Sequence, residues 1–316
     1  MKLIIAICTA NRDLYLTKLL ARLKDIDLTK LGGQDISVLV IDNRPGGATA
    51  AICDHARSGL PIALQLVEEP EPGISQARNR AVVTAVQQSA DFLDFLDDDD
   101  LPDPEWLGHL VERQQETGAE IVMGNRCKPR ALGRMASVPV KAERGSPEPD
   151  VRLWQANGLP EVLATNNVLI AVPLLARMLR TSFAFDPFFS AMGGEDADFF
   201  VRARKAGATF AYASRSLIEV RVDGERSTFA GQVTRKFKSG CSKGHLAHRN
   251  LKGTRLASWF AEVGVQMAKA TLLLLPDLLL RGFRAKSPAK LGWSCGAFFG
   301  FFGGRFNYYQ HPTRYQ

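Results

Sequence analysis

The chain has 316 residues, 46% hydrophobic and 23% charged, which allows two ordinary domains or one large α/β domain with an appendage and excludes disorder, collagen-like repeats and a coiled-coil rod. Five cysteines, at 8, 53, 127, 241 and 295, form no C-x-x-C pair, so a disulfide framework and a cysteine zinc site are not expected and a reducing compartment suits the chain. The formal charge of +7 is unevenly spread: residues 221–316 carry 16 Lys/Arg against 4 Asp/Glu and the first 220 carry 24 against 29, so an acidic body bears a basic tail that needs an anionic partner.

From the N-terminus, MKLIIAICTANRD has one lysine and a short apolar run with no small-residue cleavage site behind it, and reads as a buried first strand rather than a signal peptide. Further strand-like runs follow at Ile36–Ile41, Ala63–Val67, Phe92–Leu96 and Ile121–Met123. Between them Tyr15–Leu23, Ser75–Ala90 and Glu105–Thr117 carry apolar residues at helical spacing, the last introduced by Pro102-Asp-Pro104. Strands alternating with helices predict a mostly parallel, Rossmann-like sheet flanked by helices. In such sheets ligands sit beyond the carboxyl ends of the strands. The segments Thr9–Arg12, Asp42–Arg44, Glu68–Gly73 and Asp97–Asp100 are therefore expected to converge on one crevice.

Residues 126–150 mix Pro, Arg, Gly and Ser without period and read as a loop. Order is expected again over 151–220: a helix near Pro173–Leu179, a turn at Asp186-Pro187, and a helix Glu195–Ala206 that turns Phe199, Phe200 and Ala203 to the core and stops at Gly207. Beyond 221 lies the basic tail. No uninterrupted stretch of the roughly 20 apolar residues needed by a spanning helix is present, since Pro276 and Asp277 break Leu272–Leu280.

Asp97-Asp98-Asp99-Asp100 is the strongest local signal. Four adjoining carboxylates at a strand end repel one another unless a cation sits among them, and oxygen-only ligands favour Mg²⁺ or Mn²⁺ with water and phosphate in the remaining positions. The alternative is a solvated acidic turn. Asp42-Asn43 can accept hydrogen bonds from a base or ribose, or can simply cap a turn. Gly73 before a helix that carries Arg78 and Asn79 suits a phosphate or a nucleotide edge, though an arginine there also serves as an ordinary surface pair. In Gly193-Gly194-Glu195-Asp196-Ala197-Asp198, acids at a helix start suit capping, but capping needs only one or two of them. A rigid helix start can equally fix a general base.

Taken in order, Thr9-Ala-Asn-Arg12, Asp42-Asn43, Gly73 with Ala77-Arg78-Asn79, Asp97–Asp100 with Leu101-Pro-Asp-Pro-Glu-Trp106, and Gly194-Glu195-Asp196-Ala-Asp198 with Arg202 resemble the family 2 glycosyltransferases of the GT-A fold over about residues 1–215. Ala10 stands where the family pattern has an aromatic residue. The resemblance implies a GT-A catalytic domain at 1–220, with a nucleotide-binding half at 1–125 and an acceptor half at 151–220. It further implies an inverting transfer of sugar from a nucleoside-diphosphate donor, most often a UDP-sugar. Thr9, Asn11, Arg12, Asp42, Arg78, Asp97, Asp98 and Asn167 would contact the donor. Asp97 and Asp99 would take the two acidic positions of a D-x-D motif, with Asp99 the direct ligand of Mg²⁺ or Mn²⁺ and Asp100 in support. Asp196 would be the base that deprotonates the acceptor hydroxyl, with Glu195 as understudy.

The tail, 221–316, sets basic clusters beside leucine- and aromatic-rich stretches, which describes a helical region lying on an anionic membrane, or else faces that pack on the catalytic domain or form a dimer seam. No nucleic-acid-binding motif is present. The resemblance, closest in type to bacterial exopolysaccharide enzymes, implies a polyprenyl-diphosphate-linked acceptor and a peripheral position on the cytoplasmic face of the inner membrane. Two other classes share parts of the pattern. A nucleotidyltransferase would want a glycine- and lysine-rich phosphate loop after the first strand, which Thr9–Asp13 lacks, and a non-catalytic saccharide-binding module would have little use for both acidic sets.

Overall fold

In the computed structural model the described residues are 1–128, 136–137, 153–161, 163–220, 228–282 and 285–305. Strands β1 (Lys2–Thr9), β2 (Asp35–Asp42), β3 (Ala63–Glu68) and β4 (Phe92–Asp97) pair in parallel in the order β3-β2-β1-β4. Helices α1 (Asp13–Arg22), α2 (Thr49–Arg57) and α3 (Ile74–Gln87) make the crossovers. The strands are apolar on both faces because both are covered. Leu3, Ile5 and Ile7 enter one core with α1, α2 and α4 (Trp106–Thr117), while Ile4 and Ala6 enter the other with α3.

The second half changes the character of the sheet. β8 (Val168–Ala171) runs antiparallel between β4 and β6 (Ile121–Lys128), and β9 (Phe210–Val220) lies parallel to β6 with β5 (Asp100–Pro102) antiparallel on its edge. A short β7 (Ala136–Ser137) pairs with β6, giving nine strands among the described residues. The mostly parallel sheet expected is fully parallel over β3-β2-β1-β4, while the second half mixes the parallel β6–β9 pair with antiparallel β8, β5 and β7. Helices α5 (Val172–Thr181) and α6 (Glu195–Lys205) cover the same face as α3. There Phe199 and Phe200 of α6 are buried and Phe185 stacks on Phe199 at 4.8 Å, as the phase of the helix requires. Most of the expected 126–150 loop falls outside the described residues.

The tail forms α7 (Phe229–Asn250), α8 (Gly253–Leu272), α9 (Leu274–Arg281) and α10 (Ser287–Phe301). α7 and α10 touch backbone to backbone: a Cβ on Gly240 or Gly244 would strike carbonyls of α10, and one on Gly296 or Gly300 would strike those of α7. Glycines four apart on both helices make this contact possible. The pair packs on the α/β body through a third core containing Phe189, Met192, Ala197, Val201, Cys241, Leu246 and Trp259. Part of the tail is therefore integral to the fold. Its far end is not covered: Leu272, Leu275, Leu279 and Leu280 are 66–84% exposed. Among the described residues no single helix is long and apolar enough to cross a membrane, whereas α8 and α9 together, bent by 50°, have the length and composition.

Candidate active site

β1, β2 and β4 end side by side, Thr9 opposite Asp42 and Cys8 opposite Asp97, so their carboxyl ends share one crevice. Asn43 fastens the rim: its side chain donates to the carbonyls of Glu69 (3.0 Å) and Glu71 (2.7 Å) and accepts from the Gly73 N–H at 2.8 Å. One asparagine thereby fixes the ends of β2 and β3 and the entry to α3. Asp42 is buried and accepts from the Arg44 N–H at 3.0 Å with one oxygen. Asn11 sits exposed at the rim in the left-handed conformation, φ 52°.

The four aspartates alternate. Asp97 closes β4, Asp98 and Asp99 form a turn, and Asp100 opens β5. Asp98, 2% exposed, accepts from the Thr9 hydroxyl at 2.8 Å and from Arg12. Arg12 also reaches Asp99 at 2.7 Å and lies 4.5 Å over the Tyr15 ring. Asp100 is buried under the turn, accepting from the Asp97 N–H at 3.0 Å and the Asn166 side chain at 3.4 Å. Burial pushes the Asp98 carboxyl up to about 7 against the pull of Arg12 and Thr9. Burial, with Asp97 and Asp99 adding to it, holds Asp100 far above the carboxylate range. Asp97 remains the most open of the four. Enclosure on the crevice floor, followed by the negative charge of Asp99 and Asp196, raises it against Arg78.

Arg78, one turn into α3, joins the two acidic sets. Its guanidinium grips Glu195 with one nitrogen and reaches Asp97 at 3.2 Å with the other. Burial opposes its charge, but Glu195 and Asp97 together outweigh that and hold it protonated. Residues about a hundred positions apart thus meet on one side chain. Asn79 anchors the same turn by exchanging two hydrogen bonds with the Phe185 backbone, at 2.7 and 2.8 Å.

The start of α6 is set by Gly193 and Gly194, both with positive φ; at Gly194 a Cβ would also collide with Ser242 of α7. Three acids follow, and each has a different fate. Glu195 is buried, held by Arg78 through one oxygen, with the other buried and unpartnered, and burial raises it to about 6 despite Arg78. Asp198 pairs with Arg202 at 2.7 Å, and Arg202 goes on to the carbonyls of Phe183 and Ala184. Asp196 is only half-buried; one oxygen accepts the Ala197 N–H at 2.6 Å, and among the described residues no cation pairs with it within 4.0 Å. It is the one acid of the three left open to the crevice.

Four expected site residues turn inward. Thr9 gives its hydroxyl hydrogen to Asp98, and Asp98 and Asp100 are spent beneath the turn. Asn167 is fully buried in the left-handed conformation, φ 60°, donating to the carbonyls of Asn125 and Ser216 and accepting from the Ser216 hydroxyl. It stitches β8 to β6 and β9, so its side chain supports the crevice from behind. Asn43, expected with Asp42 to face a base or ribose or to cap a turn, fastens the rim, and Asn166, expected with Thr165 and Asn167 at donor-sugar or acceptor contacts, braces Asp100 from behind. Cys8, opposite Asp97, is a neutral thiol, pushed up to about 12 by burial.

The geometry defines an α/β protein whose parallel strand ends carry two sets of acids linked through Arg78. Comparison with known proteins agrees. The family model of Glycosyl transferase family 2 matches residues 4–132. The Succinoglycan biosynthesis protein ExoM of Rhizobium meliloti (strain 1021) is 30% identical over 252 residues, 78% of this chain and 77% of that protein. The fold is shared with S. aureus TarS: a TM-score of 0.54 at 17% identity covers 92% of this chain and 47% of the TarS chain, so the chain spans about half of that longer structure. The TarS 1–349 complex with UDP-GlcNAc gives 0.51 at 18% identity, covering 97% and 93%. The chain belongs to glycosyl transferase family 2.

Proposed function

We propose that the protein transfers a sugar from a UDP-sugar to a lipid-linked or polysaccharide acceptor in cell-surface polysaccharide synthesis, with inversion at the anomeric carbon. The observation that carries this reading is the single guanidinium of Arg78 shared by Asp97 and Glu195, which puts the start of α6, and Asp196 with it, against the strand-end crevice. The UDP-GlcNAc bound by the TarS fragment and the succinoglycan role in the ExoM name support the donor and pathway classes.

The donor's base and ribose would lie beside Asp42 and Asn11, with Arg12 and Arg78 near the phosphates. Asp196 accepts the acceptor's hydroxyl proton as its oxygen bonds to the anomeric carbon; the bond from that carbon to the diphosphate breaks on the opposite face and the nucleoside diphosphate leaves. Glu195, fixed by Arg78, orients that helix start. With Asp98 and Asp100 set aside as inward-turned acids held toward their protonated forms, Asp97, Asp99, Glu195 and Asp196 still outnumber Arg12 and Arg78, an excess of carboxylates suited to a divalent cation. Among the described residues no three such side chains gather closely enough to hold a metal alone. Asp97 and Asp99 would hold Mg²⁺ or Mn²⁺ as two carboxylates, with diphosphate and water in the other positions. When bound, such an ion would neutralise charge on the departing diphosphate. The exposed leucines and basic tail would rest on the anionic inner face of the bacterial membrane.

A donor screen by mass spectrometry with membrane extract as acceptor, with and without Mn²⁺, tests the reading. Metal-dependent consumption of one UDP-sugar with a glycosylated lipid product is expected. UDP binding without turnover on any donor would favour a binding module instead.

A further inference from the structure

α7 lies between two neighbours and shows each a different face. Gly240 and Gly244 meet α10, while Ser242, Lys243, Arg249 and Asn250, at i, i+1, i+7 and i+8, form a stripe on the opposite side, toward the α/β body. The contacts of that stripe frame α6. Arg249 pairs with Asp186 at 2.8 Å and lies 4.2 Å over the Phe188 ring, and Asn250 accepts from Lys205, at the end of α6, at 2.6 Å. At the other end the buried Ser242 hydroxyl donates to the Gly193 carbonyl at 2.6 Å, and Gly194 has no room for a Cβ against the Ser242 side chain. The tail thereby holds the backbone turn that opens α6.

Lys243 sits beside that turn, half-buried, its ammonium donating to the Pro160 carbonyl at 2.9 Å. It lines a concavity of about 290 Å³ with Trp259, Glu262 and Trp293. Burial works against its charge, and the carboxylates of Asp196 and then Glu161 favour the ammonium. Three other charged groups act on Asp196: Asp97 from β4, Glu195 from its own turn and Arg78 from α3. Arg78 is already gripped by Glu195 and Asp97. Two carboxylates therefore crowd Asp196, and Lys243 is the cation that α7 brings toward it.

We propose that α7 completes the catalytic site, with Lys243 as a positioning residue that sets a positive charge facing Asp196 from beyond ion-pair distance and Ser242 as the lock on the turn that aims Asp196. The inference rests on the transferase reading and adds to it a pair of residues from the tail. A cation in contact would occupy a carboxylate oxygen and blunt its basicity. One held farther off favours the carboxylate and leaves both oxygens open to an acceptor hydroxyl. The hydroxyl proton passes to Asp196 as the acceptor oxygen bonds to the anomeric carbon and the bond to the diphosphate breaks, and Lys243 keeps its own protons throughout.

The test is a double-mutant cycle of Lys243→Met and Asp196→Asn in the full chain, read as turnover of the UDP-sugar that the native protein consumes with membrane extract, beside UDP affinity. Lys243→Met should lower turnover by about tenfold with UDP affinity within about twofold of native, and Lys243→Arg should restore most of it. In the Asp196→Asn background the same lysine substitution should cost nothing further. An equal loss in both backgrounds would assign Lys243 to the acceptor or to folding and overturn the proposal, as would native turnover in Lys243→Met. Ser242 is read without turnover. Ser242→Ala should speed hydrogen exchange at the Asp198 amide, which donates to the Gly194 carbonyl at 3.0 Å, by about fivefold, the loss of one hydrogen bond, with β1 amides unchanged. Unchanged exchange there would overturn the lock. A native protein that consumes no UDP-sugar would remove the transferase reading and the role of Lys243 with it, whereas native turnover with additive losses in the cycle would remove only the assignment to α7.

Discussion

The turn after β4 and the first turn of α6 each carry a run of acids, and they use them in different ways. At Asp97–Asp100 the chain alternates, burying Asp98 and Asp100 as supports and leaving Asp97 and Asp99 at the crevice. At Glu195–Asp198 partners make the selection: Arg78 takes Glu195, Arg202 takes Asp198, and among the described residues no cation comes within 4.0 Å of Asp196. A count of carboxylates would rank the two runs alike. The compensation of each charge separates structural acids from reactive ones, because a buried acid survives only with a partner or a proton.

Arg78 is where the two runs can be uncoupled, with the largest expected effect on stability. Arg78→Met leaves Glu195 buried beside Asp97 and Asp196 with no counter-charge, and such a loss costs about 3–5 kcal/mol. Urea denaturation should show it together with weakened UDP binding; a variant of native stability would mean that the runs are not energetically joined. A smaller effect separates body from tail. Gly244→Val drives a side chain into the α10 backbone, an overpacking of at least about 1–3 kcal/mol, and should expose α10 amides to hydrogen exchange while those of β1 and β4 stay protected.

The buried acids also set a pH dependence. Asp98 at about 7 and Glu195 at about 6 lie above their unfolded values, so the folded protein holds protons that the unfolded chain gives up. Their contribution is complete below about pH 4 and is lost as pH rises through 6 to 7. The denaturation midpoint should therefore fall between pH 5 and about pH 8, with a shallower slope in Asp98→Asn; a midpoint rising over that interval would contradict the assignment. Smallest is the effect of Asp94, mid-strand in β4, whose two buried oxygens make no well-formed hydrogen bond and whose carboxyl is raised by burial against a weak pull from the Trp106 indole N–H. Asp94→Leu should stabilise by about 1–2 kcal/mol, read from the same denaturation curves.

Sequence reading located the four strand ends because parallel strands and their following turns leave a local signature, and the helix boundaries of α1, α3, α4, α5 and α6 fell within three residues of those expected. β8 and β9 carried no such signature. Their pairing is antiparallel or distant, fixed by contacts such as Asn167 with Ser216 that no local window contains. The same holds within the site. Motif order brought Asp97 and Asp196 into consideration, but only packing shows that Thr9, Asp98, Asp100 and Asn167 spend their polar atoms inward. In the tail, composition exposed the basic and leucine-rich character, while the helix seam through Gly240, Gly244, Gly296 and Gly300 and the hold of Ser242 on Gly193 needed three dimensions.

The central claim is that Asp196, the most open acid of its helix turn, removes the acceptor's proton while its neighbour Glu195 serves as a brace. Turnover at saturating donor, measured beside UDP affinity for Asp196→Asn, tests it most directly. The account predicts a turnover lower by about 10²–10⁴-fold with UDP affinity within about twofold of native. Native turnover with weakened UDP binding would contradict it.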